Sequence, residues 1–358
     1  MTDLNNKISQ DLGLTFDDVL LLPNYTEVRR EDIDVSVQLT QKIKLAIPLL
    51  SAPMDTVTTA KLAIALGKLG GLGVIHRNLS KVEQVAQVAQ VKKEGLLAAA
   101  AVGVGKDIEE RVAVLVKAGT DVLLIDSAHG FSKWVIEATQ FIADKYKNIA
   151  LISGSVATAA GAKALITAGA AALRVGMGPG SICTTRVVAG MGVPQITSIL
   201  ETAAVAKQYA VPVISDGGLR FSGDIVKALS AGASTVMSGS LFAGCEEAPG
   251  KIVTVDGKKY KSYRGMGSLA SMKEGSAARY GQEYRLGQEK KLIAEGVEGL
   301  VPYKGTVKDS VVQLIGGLRA GMYYAGVKNI TELGEKTRLV RVTQASLVES
   351  HPHDIIIK

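Results

Sequence analysis

Short apolar runs alternate with longer amphipathic stretches along most of the chain. Each apolar run is short enough to be a buried strand, and each amphipathic stretch has the spacing of a helix. We predict strands at residues 45–50, 72–75, 97–102, 122–125, 149–152, 171–175, 211–214 and 235–237. We predict helices after them at residues 59–69, 81–93, 108–118, 133–146, 159–168, 198–209 and 222–231, with an eighth at 310–325.

Eight strand–helix units with short connections favour a closed parallel barrel of the α/β class, a (β/α)8 TIM barrel. An open doubly wound sheet is less favoured, because it normally has a glycine-rich turn after its first strand, and this chain has none. In such barrels the chemistry lies at the carboxyl ends of the strands. Polar residues follow the predicted strands there: Asp55, His76, Asp126, Ser155, Cys183, Asp216 and Ser240.

The last predicted strand is separated from its helix by residues 249–305. Residues 253–263 indicate a hairpin around the turn Asp256-Gly257. Residues 268–301 are long and polar, which is typical of a lid or a disordered segment. We therefore predict one catalytic barrel domain over residues 1–358, with a long flap insertion after its eighth strand.

The composition of the chain limits the classes of partner and the cellular compartment that we expect for it. With 358 residues, 47% of them hydrophobic, the chain can bury a large core, and its net charge of +7 is dispersed along the sequence. The densest basic run, residues 258–264, is interpreted as a solvated hairpin, so we expect no nucleic-acid partner. Two cysteines, no charged leader and no apolar run of membrane-spanning length predict a cytoplasmic protein with no membrane partner.

The most informative stretch is residues 176–186, Gly-Met-Gly-Pro-Gly-Ser-Ile-Cys-Thr-Thr-Arg. Its glycines and proline exclude a helix or a regular strand and let the backbone approach a ligand closely. Cys183 lies at the end of this turn, directly after the sixth predicted strand. The position favours a reactive thiol, although an inert, buried cysteine remains an alternative.

Two glycine loops follow the seventh and eighth strands, where barrels often bind phosphate. They contain Gly217 with Gly218, and Gly239 with Ser240, and Ser181 is a further candidate donor. A carboxylate is repelled by phosphate, so Asp216 is a candidate acceptor for sugar hydroxyls. Ordinary turn chemistry is the alternative for these loops.

Other motifs have more than one interpretation when each is taken alone. Asp126 could accept a ribose hydroxyl, and residues 263–267 form either a ligand-binding loop or a simple turn. Arg279-Tyr280 in the predicted lid would, without context, be a solvated pair on a loop.

Together, residues 176–186, 215–218, 263–267 and 349–353 closely resemble the IMP dehydrogenase family over about residues 14–353. GMP reductases share the barrel and the cysteine loop, whereas the long lid with Arg279-Tyr280 resembles the dehydrogenases. GMP reductase and a catalytically silent nucleotide-binding barrel remain the alternatives.

The resemblance implies an NAD-dependent oxidation of IMP to xanthosine 5′-monophosphate, the committed step of guanine nucleotide synthesis. It implies that the Cys183 thiolate forms a covalent intermediate, which splits one hard step into two. The lid would then close, and Arg279, helped by Tyr280 and Thr185, would activate the water that hydrolyses this intermediate.

The resemblance also implies three sets of contacts. The substrate set is Ser181, Asp216, Gly217, Gly218, Gly239, Ser240, Tyr263, Gly265, Met266, Gly267 and Glu295. The NAD set is Asp126, Ser127, Ala128, Ser155 and Gly176. The potassium set is the backbone carbonyls of Gly178, Gly180 and Cys183 with Glu349, Ser350 and His351 of a neighbouring subunit, which implies a homo-oligomer, in this family a tetramer.

The chain departs from the family pattern at two places. Ser155 stands where most relatives have asparagine, which affects the expected contact with nicotinamide. Residues 93–96 connect directly where most relatives insert a paired regulatory (CBS) module. We therefore expect no regulation by purine nucleotides through such a module.

Overall fold

The computed structural model of the chain describes residue 9 and residues 11–356. The ends of the predicted domain, residues 1–8, 10 and 357–358, lie outside the described residues. In chain order the strands are β1 (Val19–Leu21), β2 (Val37–Gln38), β3 (Lys44–Leu45), β4 (Leu49–Ser51), β5 (Leu72–Ile75), β6 (Ala99–Val102), β7 (Val122–Ile125), β8 (Ala150–Val156), β9 (Ala172–Val175), β10 (Val213–Asp216), β11 (Thr235–Ser238), β12 (Ile252–Val255), β13 (Lys258–Arg264), β14 (Glu298–Pro302) and β15 (Leu339–Arg341).

The helices pack around these strands. They are α1 (Ala60–Lys68), α2 (Lys81–Lys93), α3 (Ile108–Lys117), α4 (Lys133–Lys145), α5 (Ala159–Thr167), α6 (Thr185–Val188), α7 (Gln195–Lys207), α8 (Ser222–Ser230), α9 (Ser240–Ala243), α10 (Leu269–Lys273), α11 (Val307–Ala325), α12 (Ile330–Lys336) and α13 (Gln344–Glu349).

Strands β4–β11 form a closed parallel barrel in which β11 pairs with β4. The predicted fold class is therefore confirmed. Alternate side chains of the barrel strands point to different cores, as the two-residue period of a strand requires. Leu50 and Leu124 fill the barrel interior, whereas Leu49 and Leu123 belong to the core between strands and helices.

Two of the predicted strand boundaries were wrong by four residues. The first barrel strand begins at Leu49, because Lys44–Leu45 pairs with Val37–Gln38 in a separate small hairpin. The fifth barrel strand continues to Val156, so residues 153–155 lie inside it. These polar residues can stay in the strand because their groups are satisfied: the Ser153 hydroxyl lies 3.0 Å from that of Thr139, and the Ser155 carbonyl accepts from the Gly130 amide at 2.7 Å.

The insertion contains more regular structure than its sequence suggested. The predicted hairpin is confirmed as β12–β13, and β14, from the far end of the insertion, adds a third antiparallel strand. Between β13 and β14, residues 268–297 form what we call the flap, with a small apolar cluster of Met272, Ala277 and Leu292.

The interpretation of the basic run as fully solvated was wrong at Lys261. Its side chain is buried, and its ammonium group donates to the backbone carbonyls of Cys245 and Glu246 at 2.9 and 3.3 Å. Among the described residues, no helix combines the length and the apolar character needed to cross a bilayer.

Candidate active site

A cavity of about 130 Å3 opens at the carboxyl ends of the barrel strands. It is bounded on one side by the barrel loops and on the other by the flap. Of the residues predicted from the sequence, the cavity is lined by Ala128, Ser155, Gly176, Gly178, Gly180, Cys183, Thr185, Asp216, Gly217, Gly239, Tyr263, Gly265, Met266, Gly267, Arg279, Tyr280 and Glu295. The structure therefore brings together most residues of the predicted substrate, catalytic and NAD sets.

The cysteine loop leaves β9 through a backbone turn that requires glycine. Gly176 has a φ of +147°, and a Cβ there would overlap the carbonyl oxygen of Asp216. At the far end of the loop the Cys183 thiol lies 3.2 Å from the Thr185 hydroxyl. The flap fixes this end, since the Thr184 amide donates to the Glu295 carbonyl at 3.0 Å.

The two cysteines have different surroundings. Cys183 is partly exposed and lines the cavity, whereas Cys245 is fully buried near Ser310. Burial raises the pKa of the Cys245 thiol above its ordinary value. Since the thiolate is the nucleophile, the accessible Cys183 is the candidate for reaction and Cys245 is an inert core residue.

A buried ion cluster at the cavity joins side chains from β9, from β10 and from the loop after β7. Arg174, on β9, donates to Asp126 at 2.6 Å and to Asp216 at 2.6 and 2.7 Å. Sequence analysis missed Arg174, although a charge inside an otherwise apolar barrel strand, between strands that end in aspartates, is a detectable signal. The arginine fixes both carboxylates and leaves Asp216 at the cavity wall.

The flap inserts two side chains into the same region. Arg279 pairs with Asp126 and is only 11% exposed, and the Tyr280 ring lies over Gly267, where a Cβ would come within 2.8 Å of it. Burial alone would raise the pKa of Asp126, but Arg279, Arg174 and Arg77 outweigh that effect and lower it to about 2. Burial alone would lower the pKa of Arg279, but the Asp126 carboxylate raises it above the ordinary arginine value.

The glycine loops converge at the other end of the cavity. Gly217 and Gly218 have φ values of +88° and +79° and pack against Pro179 of the cysteine loop. The buried Tyr263 hydroxyl lies beside Gly239. Burial raises the pKa of Tyr263 above its ordinary value, so this phenol stays neutral and can donate a hydrogen bond.

Three further members of the substrate set lie around this end. Ser181 lies on the cysteine loop between Gly180 and Ile182, which both line the cavity. Ser240 begins α9 and donates to the Leu219 carbonyl at 3.3 Å. Gly218 packs against Pro179 at the same end, so hydroxyl groups and a glycine loop line one region, an arrangement suited to a phosphate group.

Some predicted residues lie elsewhere. The Ser127 hydroxyl is exposed and bonds locally to the His129 carbonyl at 3.2 Å. Glu349, Ser350 and His351 lie at the end of α13, where the His351 ring packs 6.2 Å from that of Phe221. The described contacts do not join them to the cysteine loop of the same chain. Within the part of the chain that the structure describes, no cluster of three His, Cys, Asp or Glu residues could hold a metal ion.

A second ion cluster, also missed by sequence analysis, fixes the base of the flap. Arg264 donates to Asp55 at 2.8 and 3.2 Å and also pairs with Glu274. Asp55 in turn accepts from Ser271 at 3.1 Å and from Asn78 at 2.9 Å. Arg264 therefore does not face a ligand but anchors the flap to the loop after β4.

The fold and the site define a (β/α)8-barrel enzyme with an accessible thiol on a glycine loop and a flap over its active-site cavity. A family model described as the IMP dehydrogenase / GMP reductase domain matches residues 13–353. The chain belongs to this family, as an enzyme of the IMP dehydrogenase type.

Three relatives, each named inosine-5′-monophosphate dehydrogenase, are similar over their full lengths. Those of Aquifex aeolicus and Borreliella burgdorferi are 41% and 44% identical, over 100% and 98% of this chain and 98% of each relative. That of Halalkalibacterium halodurans is 40% identical over 98% of both chains. The Aquifex alignment has 486 positions against 358 residues here, so that relative carries a large segment with no counterpart in this chain, consistent with a form that lacks the CBS module.

Proposed function

We propose that the chain oxidises IMP to xanthosine 5′-monophosphate with NAD⁺ as the hydride acceptor, through a covalent intermediate on Cys183. The observation that carries this proposal is the position of the Cys183 thiol. It lies in one cavity between the glycine loops suited to a phosphate and the flap residues Arg279 and Tyr280. This reaction would be the committed step of guanine nucleotide synthesis.

In the first step the thiolate of Cys183 attacks carbon 2 of the hypoxanthine ring. A carbon–sulfur bond forms, and the bond from carbon 2 to hydrogen breaks with both its electrons going to the nicotinamide of NAD⁺ as hydride. The proposed substrate contacts are compatible with this step. The phosphate would lie at Gly218, Ser240 and Tyr263, and Asp216, already held by Arg174, would accept ribose hydroxyls.

NAD⁺ and the flap arginine would use the same carboxylate. The resemblance assigns Asp126 to the nicotinamide ribose, yet here Asp126 is paired with Arg279. While Arg279 holds this pair the Asp126 side chain is only 1% exposed, so a ribose hydroxyl cannot reach it. We infer that NADH leaves before the flap closes, so that one site serves both steps in order.

In the second step water replaces sulfur at carbon 2. The carbon–sulfur bond breaks, the thiol is regained and xanthosine 5′-monophosphate is released. Arg279 would orient this water, with Tyr280 and Thr185 nearby in the same cavity. A guanidinium paired with Asp126 remains protonated, which favours a role for Arg279 as a hydrogen-bond donor while it holds that pair.

Potassium would be held by oxygen ligands of the cysteine loop. The fit within one chain is partial: Gly178, Gly180 and Cys183 share one loop, but Glu349, Ser350 and His351 lie at the end of α13. A neighbouring subunit would have to bring its own copies of these three residues to the loop. The potassium proposal therefore implies a homo-oligomer, which in this family is a tetramer. We also expect the protein to be cytoplasmic.

The direct test is to incubate the protein with IMP, NAD⁺ and potassium and to follow NADH absorbance. We expect NADH and xanthosine 5′-monophosphate in equal amounts. GMP reductase activity is tested in parallel with GMP and reduced nicotinamide cofactor. Consumption of reduced cofactor only in that assay would identify a reductase. No change in either assay, with IMP still bound, would identify a silent nucleotide-binding barrel.

A further inference from the structure

A second, much smaller cavity lies beneath the flap. It offers about 10 Å3 to the centre of a water molecule, close to the least room that one buried water needs. Its polar lining comes from Arg77 and Asn78 after β5, Asp126 after β7, and Ser276 and Arg279 on the flap. The Ser276 hydroxyl already donates to the Met266 carbonyl. Ion pairs already account for part of this lining, but not for all of its polar atoms.

Four buried polar atoms of these residues have no hydrogen-bond partner among the described residues. They are the Nε atoms of Arg77 and Arg279, Oδ1 of Asn78 and Oδ2 of Asp126. The orientation of Asn78 is fixed, because its Nδ2 donates to the Asp55 carboxylate at 2.9 Å and a carboxylate can only accept. Buried polar groups that lack partners are costly, so each of the four atoms needs a partner.

The four atoms comprise two donors and two acceptors. A single water molecule has the complementary set, since it accepts twice and donates twice. The two cationic guanidinium groups disfavour a metal ion or ammonium, and the Asp126 carboxylate disfavours an anion. The gap of 3.6 Å between Arg77 Nε and Asp126 Oδ2 is too long for a direct hydrogen bond, so neither atom satisfies the other.

We propose that the flap closes onto one ordered water held by Arg77, Asn78 and Asp126, and that this water makes Arg77 and Asn78 positioning residues for Arg279. Three of its four partners belong to the barrel, and only Arg279 belongs to the flap. The site is therefore complete only when the flap is closed. The proposal rests on the proposed function, because its effect falls on the hydrolysis step assigned to Arg279.

The test separates hydride transfer from hydrolysis in the full chain. Asn78→Ala and Arg77→Met should each leave the first burst of NADH close to that of the parent. Steady-state turnover should fall about tenfold, the scale of losing a hydrogen bond to a charged group, and the adduct on Cys183 should accumulate. Arg285→Ala is the matched control, because Arg285 is an exposed flap arginine paired with the exposed Glu283, and the turnover of this variant should not change.

The same substitutions are then combined with Arg279→Ala. If Asn78 and Arg77 act through Arg279, their effects on turnover should nearly vanish in that background. Equal effects in both backgrounds, or a burst reduced in step with turnover, would show a general structural role and overturn the proposal. Normal turnover of both single variants would overturn it too. Absence of any NADH from the parent protein would instead refute the proposed function.

Discussion

The two walls of the active-site cavity are built in different ways. The barrel wall carries Cys183 and Asp126 on loops that leave paired strands and Asp216 at the end of β10, and Arg174 links both carboxylates from inside the barrel. The flap wall carries Arg279 and Tyr280 on a segment with its own small apolar cluster. At its base the flap residue Glu274 pairs with Arg264, and at its tip Arg279 pairs with Asp126. A backbone hydrogen bond from Thr184 to Glu295 joins the far end of the flap to the cysteine loop.

This difference corresponds to the two proposed steps. Groups needed throughout the reaction lie on the barrel wall, where buried contacts fix them. Groups needed only after NADH has left lie on the flap, where one buried ion pair can be exchanged for a ligand. The predictions below test this division, because substitutions in the barrel wall and in the flap should affect different quantities.

The largest effect is expected at the thiol. Cys183→Ala should still bind IMP but form no NADH, because no other accessible thiol can make the covalent bond. Binding is measured by calorimetry and turnover by absorbance. Cys245→Ala is the control and should retain turnover, since Cys245 does not line the cavity. Appreciable turnover by Cys183→Ala would contradict the assignment of the nucleophile.

The next largest effect concerns stability. Arg174→Met removes the arginine that holds both Asp126 and Asp216 and leaves Asp216 without this partner, and breaking a buried ion pair costs about 3–5 kcal/mol. Urea unfolding should therefore show a marked loss of stability. Arg279→Ala should lose much less, because Asp126 keeps Arg174. Equal losses in the two variants would contradict the proposed difference between the walls.

The pH dependence of stability follows from the same pair. The arginines lower the folded-state pKa of Asp126 to about 2, below the unfolded value of about 3.9. The stabilisation is thus fully present above the unfolded pKa and is lost as the pH falls towards 2. Arg174→Met should lose stability at a higher pH than the parent, which acid titration of the unfolding midpoint can measure.

A smaller effect is expected from the monovalent cation. Potassium should activate turnover, and sodium should replace it poorly, because the proposed carbonyl ligands on the cysteine loop would fit potassium better than sodium. Rates are compared in the two salts after exhaustive dialysis. Equal rates would count against the cation site and would leave the barrel-wall assignments intact.

The smallest difference concerns the two thiols in the unreacted protein. Iodoacetamide should label Cys183 first and spare Cys245 in the folded chain, because burial both shields Cys245 and raises its pKa. Intact-mass measurement counts the labels. Saturating IMP should slow the labelling of Cys183, and equal labelling of both thiols would refute the distinction.

The barrel and most of its site could be predicted because their signals are local. Each strand is a short apolar run, and the glycines of residues 176–186 and of the loops after β10 and β11 mark close backbone approaches. The buried ion clusters could not be predicted in the same way. Arg174 meets Asp126 and Asp216 only after three strands are aligned in the closed sheet, and Arg264 meets Asp55 across 209 positions.

The boundaries that were wrong have a similar origin. Polar residues 153–155 remain in β8 because neighbours distant in sequence, such as Thr139, satisfy their hydrogen bonds. The sequence of the flap has no clear periodicity. The strands on either side of it, β13 and β14, nevertheless pair with each other in one sheet. Pairing between distant segments decided these positions, and local patterns do not contain that information.

The central claim is that the barrel wall performs hydride transfer and the flap performs hydrolysis. Its most direct test is pre-steady-state NADH absorbance of Arg279→Ala, combined with the intact mass of the quenched protein. The account predicts a burst of about one NADH per active site. It also predicts steady-state turnover lowered about 10²–10⁴-fold and a mass increase on Cys183 from the trapped adduct. Normal turnover without an adduct, or loss of the burst itself, would contradict the division of labour between the two walls.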